Sequence, residues 1–289
     1  MNKEIDWRFV TLNNWMIRRT NKKRMNKNVI CVIIGPTGSG KSYTGLSFGE
    51  YIRERTKVPF SIENNVDFSF SGLLNKMMMK ENSKPGTPFV FEEVGAIESG
   101  ASNRQWQSKA NLFFTSFLQT NRHRNQILFM TLPVFSSLDV TARNLVHLLL
   151  EQQGVPVGRC YSVVKPLMLQ LNFNSGKIYS KYPRIIIEGV KKKIKFFHVP
   201  KPSEEILKDY EAEKLKFTTM LNKKIMEDGQ VKKKPYKFAD QELVMEMHMK
   251  EFNNTKIAKI LGITPRTVYN CIKRYELAQN DDNLLRKSA

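Results

Sequence analysis

Val29-Ile30-Cys31-Val32-Ile33-Ile34-Gly35-Pro36-Thr37-Gly38-Ser39-Gly40-Lys41-Ser42 decides how this chain folds. The first part, Val29 to Ile34, is an unbroken apolar run of strand length, the pattern of a strand covered on both faces in a parallel sheet. The second part fits G-x-x-x-x-G-K-[ST] at every position, and Lys41 to about Arg55 reads as a helix. Strand, glycine-rich turn and helix in that order make a phosphate-binding loop. Glycines let the backbone N–H groups turn inward around an anion, and the helix N-terminus adds partial positive charge. Gly35, Pro36, Thr37, Gly38, Ser39, Gly40, Lys41, Ser42 and the adjacent Tyr43 are therefore the expected nucleotide contacts. Lys41 is expected to reach the β- and γ-phosphates of ATP, and Ser42 to hold Mg²⁺.

Downstream, Phe89-Val90-Phe91 reads as a second buried strand and ends in the acidic pair Glu92-Glu93. A carboxylate at such a strand end can hold the metal's shell, and a second one can polarise the attacking water. Glu92 is assigned to the metal and Glu93 to the water. Ile127–Leu132 is a third buried strand, expected beside the first two, with Thr131 near the γ-phosphate. Transition-state charge on the transferred phosphoryl group also calls for an arginine, in some ATPases from a neighbouring subunit. Arg104, Arg122, Arg124 and Arg143 all follow the acidic pair, and Arg104 and Arg122 are the first choices.

Between and beyond these strands, residues 105–121 carry apolar positions at helical spacing, and a helix is expected over 139–150. Short β-like runs between 160 and 199 suggest hairpins at the edge of the domain. A helix capped by Ser203 is expected to run to about Met226. The spacing thus predicts an α/β fold, with a mostly parallel central sheet flanked by helices.

Asp228–Pro235 is polar, basic and broken by Gly229 and Pro235, so 228–238 reads as a linker. The C-terminal stretch beyond it resembles a helix-turn-helix. Ala258 permits close helix approach, Gly262 supplies a positive-φ turn, Pro265 sits in the first turn of the next helix and Val268 packs inward. Arg266, Thr267, Asn270, Lys273 and Arg274 would lie on the exposed face and suit base edges and phosphates. A protein-docking helical bundle would use the same scaffold. The expected organisation is a basic segment 1–28, a nucleotide domain 29–227, the linker 228–238 and a small all-α unit 239–289.

Bulk composition agrees with an anionic partner. The chain's 289 residues carry 47 Lys+Arg against 27 Asp+Glu, a net charge of +20. That surplus suits nucleic acid or an acidic membrane surface. No apolar run approaches the ~20 residues of a membrane span, and MNKEIDWRFV lacks the apolar core of a signal peptide. Cys31, Cys160 and Cys271 form no C-x-x-C pair, so neither a disulfide framework nor a zinc site is indicated. Cys31 and Cys271 are expected as packed thiols, and the chain reads as cytoplasmic.

From Val29 to about Leu150 the sequence resembles the HerA/FtsK-type P-loop ATPases, including viral genome-packaging ATPases and zonular-occludens-toxin-like phage assembly proteins. The matching stretches are GPTGSGKS (35–42), FVFEEVG (89–95), RQWQSKAN (104–111), QTNRHRN (119–125) and MTLPVFSSLDVTARNLVH (130–147). Thr131-Leu132-Pro133 stands where many relatives have Thr-Gln, and Glu92 where they have aspartate. The resemblance implies an ATP-driven DNA motor that forms a homo-oligomeric ring, usually a hexamer. A DNA-binding regulator, partition adaptor or transposition helper, each without translocation, is the alternative.

Overall fold

The computed structural model describes residues 5–92, 116–187, 190–230, 241–273 and 275. The chain divides into two compact units, Met1–Leu221 and Asn222–Ala289.

The first unit is built on an eight-stranded sheet. Strands β1 (Val29–Ile34), β2 (Val66–Asp67), β3 (Pro88–Phe91), β4 (Ile127–Leu132) and β5 (Leu148–Gly154) run parallel in the order β5-β1-β4-β3-β2. The antiparallel strand β6 (Tyr161–Leu171) lies on the flank of β5. It pairs in turn with β10 (Phe197–Pro200) and β7 (Ile178–Lys181). Pro166 is tolerated inside β6 because β10 covers Tyr161–Val164 and β7 covers Met168–Leu171. The proline falls in the gap between them, where a missing N–H deprives neither strand of a donor. Strands β8 (Arg184–Ile187) and β9 (Val190–Lys193) form a separate ribbon.

Alternation along the buried strands divides the core in two. Val29, Cys31 and Ile33 join Ile127, Phe129, Val90, Leu148 and Leu150 on one face. Ile30 and Val32 join Leu128, Met130, Phe89, Phe91 and Leu149 on the other. The first face is covered by helices α1 (Trp7–Thr20), α2 (Lys41–Thr56) and α7 (Glu204–Gln230), through Phe9, Met16, Leu46, Phe48, Ile52, Ile206 and Tyr210. On the second face lie α4 (Phe70–Met78), α5 (residues 116–120) and α6 (Val140–Arg143), through Leu73, Met77, Leu118 and Ala142. Each such apolar side chain contributes about 1.5–3 kcal/mol when fully buried. The short helix α3 is Ile62–Asn65.

Three expectations meet a different structure. The predicted helix 139–150 is a single turn, α6, followed by strand β5. Leu148, Leu149 and Leu150 are buried between the two core faces, and a continuous apolar run of that length reads equally as helix or strand. The basic N-terminal segment contains an amphipathic helix, α1, whose Phe9, Leu12 and Met16 belong to the sheet's core. The Ser203-capped helix exists, with the Ser203 hydroxyl accepting from the Ile206 amide at 3.4 Å, but it continues through Gln230. Most of the expected linker and most of the helix expected over 105–121 lie outside the described residues. Cys31 is buried, and burial pushes its thiol pKa well up, as a packed core thiol requires.

The smaller unit contains α8 (Gln241–Met249), α9 (Asn254–Leu261) and α10 (residues 265–273) around Val244, Met245, Ile257, Ala258, Val268 and Ile272. Asn253 caps α9 by accepting from the Lys256 amide. Gly262 ends the helix in the left-handed region, φ 64°.

His147, just before β5, ties that strand to β1. Its Nδ1 accepts from the Ile30 amide at 3.0 Å, and its own amide donates to the Ile30 carbonyl at 2.9 Å. Burial, then the nearby charges of Arg19, Arg122 and Lys27, push its pKa from 6.5 down to about 3. The folded imidazole stays neutral while the unfolded chain takes up a proton below about pH 6.5. Stability is therefore full above pH 6.5 and falls toward pH 3, by about 1 kcal/mol per pH unit. Thermal melts of His147→Asn, which keeps an acceptor and loses the titration, should decline less between pH 6.5 and 4.5 than those of the wild type. Parallel declines would assign the acid sensitivity to other groups.

Candidate functional site

The carboxyl ends of the parallel strands share one edge of the sheet. The chain crosses over β1 in passing from β4 to β5, and such a switch point is where open α/β sheets leave a crevice. The glycine-rich loop follows β1 at that edge. Gly35 leaves β1 at φ 153°, and a Cβ there would stand 2.8 Å from Gln152 Cβ and 2.9 Å from Ser39 Oγ. Gly40 is left-handed at φ 92° and begins α2 with no side-chain cap. The first-turn N–H groups of α2 are thus not claimed by a capping side chain, and a helix start of that kind attracts an anion. Within the loop, the Ser39 hydroxyl donates to the Pro36 carbonyl at 2.7 Å. Lys41 folds back over the turn, its Nζ donating to the carbonyls of Gly35 and Pro36, each at 2.8 Å.

Beside the loop stands Glu92, immediately after β3 and fully buried. Its Oε2 accepts from the Ser42 hydroxyl at 2.8 Å and from the Thr131 hydroxyl at 3.1 Å. Residues from α2, the end of β3 and β4 therefore converge on one oxygen. A carboxylate deprived of water needs such donors, since an unpaired buried charge is very costly. The Glu92 amide donates to the Asp67 carbonyl at the end of β2, which fixes the backbone under the side chain. A hydroxyl and a carboxylate 2.8 Å apart suit a hard divalent cation, whose remaining ligands come from phosphate and water. Among the described residues no group of three or more His, Cys, Asp or Glu is placed to hold a metal. A magnesium site of the phosphate-sharing kind needs none.

Three supports of this edge escaped the sequence reading. Gln152 of β5 donates through Nε2 to the Thr44 hydroxyl, which lies 3.1 Å from the Ser162 hydroxyl of β6, all three side chains being buried. Gln152 Oε1 is buried with no hydrogen-bond partner among the described residues. A Cβ on Gly40 would also meet Val155 Cγ2 at 3.2 Å, so the β5–β6 connection walls the loop. Tyr43 donates to Glu211 of α7 at 2.8 Å and packs edge-on against Tyr210. The Glu211 bond is the largest cause of the raised Tyr43 pKa.

The structure thus gathers Gly35 to Tyr43, Glu92 and Thr131. Arg122 stands apart, before β4 and at the opposite end of the strands. Six residues of strand at about 3.3 Å each separate the two edges, so within one chain Arg122 does not reach Lys41. Arg124 donates to the Met77 carbonyl at that same far end, and Arg143 on α6 has a buried Nε without a hydrogen-bond partner among the described residues. Glu93 and Arg104 lie outside the described residues. In the smaller unit Arg266, Asn270 and Lys273 are exposed and Thr267 half-buried, while Arg274 lies outside the described residues.

No family model matches this sequence, and no curated protein matches it. The N-terminal domain of zonular occludens toxin from Neisseria meningitidis is a solved structure to which the chain is similar. The identity is 16% and the TM-score 0.31, over 54% of this chain and 94% of that one. At that distance the likeness carries no argument, and the site stands on its own geometry. No described helix is long and apolar enough to cross a membrane.

Removing one donor from a buried carboxylate is a direct test of the Glu92 cluster. Thr131→Val keeps the side-chain shape and should lower stability by about 1–2 kcal/mol in urea unfolding. An unchanged midpoint would show that the Thr131–Glu92 bond contributes nothing to the fold.

Proposed function

We propose that this chain is a Mg²⁺-dependent ATP hydrolase acting on DNA, as a motor that translocates DNA or packages a viral or mobile-element genome. The observation that carries the nucleotide half is the convergence of Ser42 and Thr131 on buried Glu92 beside an uncapped helix start and a glycine-rich turn. In this reading Lys41 exchanges the loop carbonyls for the β- and γ-phosphates. Ser42 and Glu92 would hold Mg²⁺, and the ion would supply charge neutralisation at the phosphates. Glu93 orients the attacking water, and Thr131 holds the Glu92 carboxylate at the γ-phosphate end. Gly35–Tyr43 would contact a bound nucleotide, and β5 and β6 support that loop through Gln152, Val155 and Ser162.

An arginine completes the chemistry. Arg122 stands at the far end of its own sheet, so the nucleotide site it could serve is a neighbouring subunit's and not its own, which fits a ring of identical chains. Arg104 is the other candidate. The helical unit within 239–289 is read as a helix-turn-helix, with Arg266, Thr267, Asn270, Lys273 and Arg274 toward DNA. Support comes from buried Ala258 and Val268, the left-handed Gly262 and the exposure of Arg266, Asn270 and Lys273. The same unit favours a second reading, an ATP-gated DNA-binding regulator, partition adaptor or transposition helper in which nucleotide sets assembly.

ATP hydrolysis with and without long non-specific duplex DNA separates these readings. DNA should raise turnover many-fold, and Lys41→Ala and Glu92→Gln should each lower it at least ~100-fold, as loss of phosphate or metal charge stabilisation does. Slow turnover indifferent to DNA would remove the motor reading and favour nucleotide-gated assembly. No Lys41-dependent turnover under any condition would remove the hydrolase reading itself.

A further inference from the structure

Strands β1, β3 and β4 are parallel and in register at their starts, Val29 beside Ile127 and Ile127 beside Pro88. The segments that lead into them, 21–28, 84–87 and 121–126, therefore meet at the edge of the sheet opposite the glycine-rich loop. They are locked together there. The Gly86 amide donates to the Asn125 carbonyl at 2.8 Å, and Asn125 Nδ2 donates to Asn26 Oδ1 at 2.6 Å. The Val29 amide donates to the Gln126 carbonyl and the Ile127 amide to the Thr87 carbonyl, each at 3.0 Å. Arg19 Nε fastens the end of α1 to the Asn28 carbonyl at 2.8 Å.

These segments read NKKRMNKN, KPGT and NRHRNQ, with no acidic residue in any of them. Lys22, Lys23, Arg24, Lys27, Lys84 and Arg122 are all exposed. None of the six forms an ion pair among the described residues. Like charges are close enough to act on one another: Arg19 is lowered from its ordinary value by burial and by Arg122. The fold holds these cations together with no ion-paired acid among the described residues, which raises the local potential and favours a polyanion.

We propose that this basic pole, formed by segments 21–28, 84–87 and 121–126, is a seat for the phosphate backbone of duplex DNA, separate from the C-terminal helical unit. The proposal rests on the DNA reading above and locates a second, sequence-independent contact. Phosphates are positioned by Arg and Lys on rigid backbone, with no need to reach base edges. A lipid surface fits less well, because interfacial binding needs an apolar face to insert. Met25 is the only exposed apolar residue of the three segments among those described, at 45% exposure.

The test is fluorescence anisotropy with the full chain and a labelled random-sequence duplex across a salt series. Two variants are compared with the wild type: Lys23→Ala/Arg24→Ala/Lys84→Ala at the pole, and Arg266→Ala/Lys273→Ala in the helical unit. Each phosphate contact contributes about 0.9 to the slope of log K against log salt. The pole variant should weaken binding at least ~10-fold and flatten the slope by about 2–3, with its melting temperature unchanged. If the pole variant binds as the wild type does while the helical-unit variant loses binding, the pole is not the seat, and the DNA reading stands without it. If the wild type does not bind duplex at all, the DNA reading fails and takes the pole with it. Wild-type binding to vesicles containing phosphatidylserine, with none to DNA, would overturn the proposal in favour of a membrane surface.

Discussion

A carboxylate held out of water at the end of β3 constrains everything around it. Glu92 has no solvent exposure, and it tolerates this position because Ser42 and Thr131 donate to the same oxygen. Those donors come from α2 and β4, so α2 must start where the glycine-rich turn delivers it and β4 must lie between β1 and β3. The apolar bodies of the strands satisfy that order by burying both faces. The polar ends then collect at one edge, where neither core face can cover them. One sheet thereby serves two opposite requirements, an apolar interior along its strands and a charged cluster at their tips.

Around that cluster the supporting parts are less conspicuous and no less physical. The β5–β6 hairpin closes the flank of β1 and brings Gln152 and Ser162 to Thr44, one turn into α2. Its connection presses on Gly40, so the loop is shaped from outside as well as by its own glycines. From the other side α7 takes hold of Tyr43 through Glu211, while Tyr210 and Phe217 stack on Phe68. The residue just after the phosphate loop is therefore bonded to the last long helix of the larger unit.

Charge is distributed with the same polarity as the strands. The Glu92 carboxylate sits at the carboxyl edge, and the cations of 21–28, 84–87 and 121–126 sit at the amino edge. His147 records the potential at that basic end, being driven toward its neutral form by burial and by Arg19, Arg122 and Lys27. It is useful to the fold in that form, since a neutral Nδ1 accepts from the Ile30 amide and an imidazolium would not.

Local pattern was enough to specify the strand–turn–helix at 29–56, the two further buried strands and the polar residues at their ends. Each of these is a short-range signal: an apolar run, a glycine spacing, a carboxylate directly after a strand. The Gly262 turn, with Ala258 and Val268 inside, is legible in the same way. That Leu148–Gly154 is a strand depends instead on its neighbours, because a short apolar run acquires its conformation from the β1 edge it pairs with. Helix α1 likewise joins the core only through the fold, since its amphipathic face has meaning once Phe48 and Phe197 are opposite Phe9. Arg122, Gln152, Ser162 and Glu211 lie far from Lys41 in sequence, and spacing says nothing about which end of a sheet receives them. Strand direction settles that: parallel pairing sends every residue after a strand to one edge and every residue before it to the other.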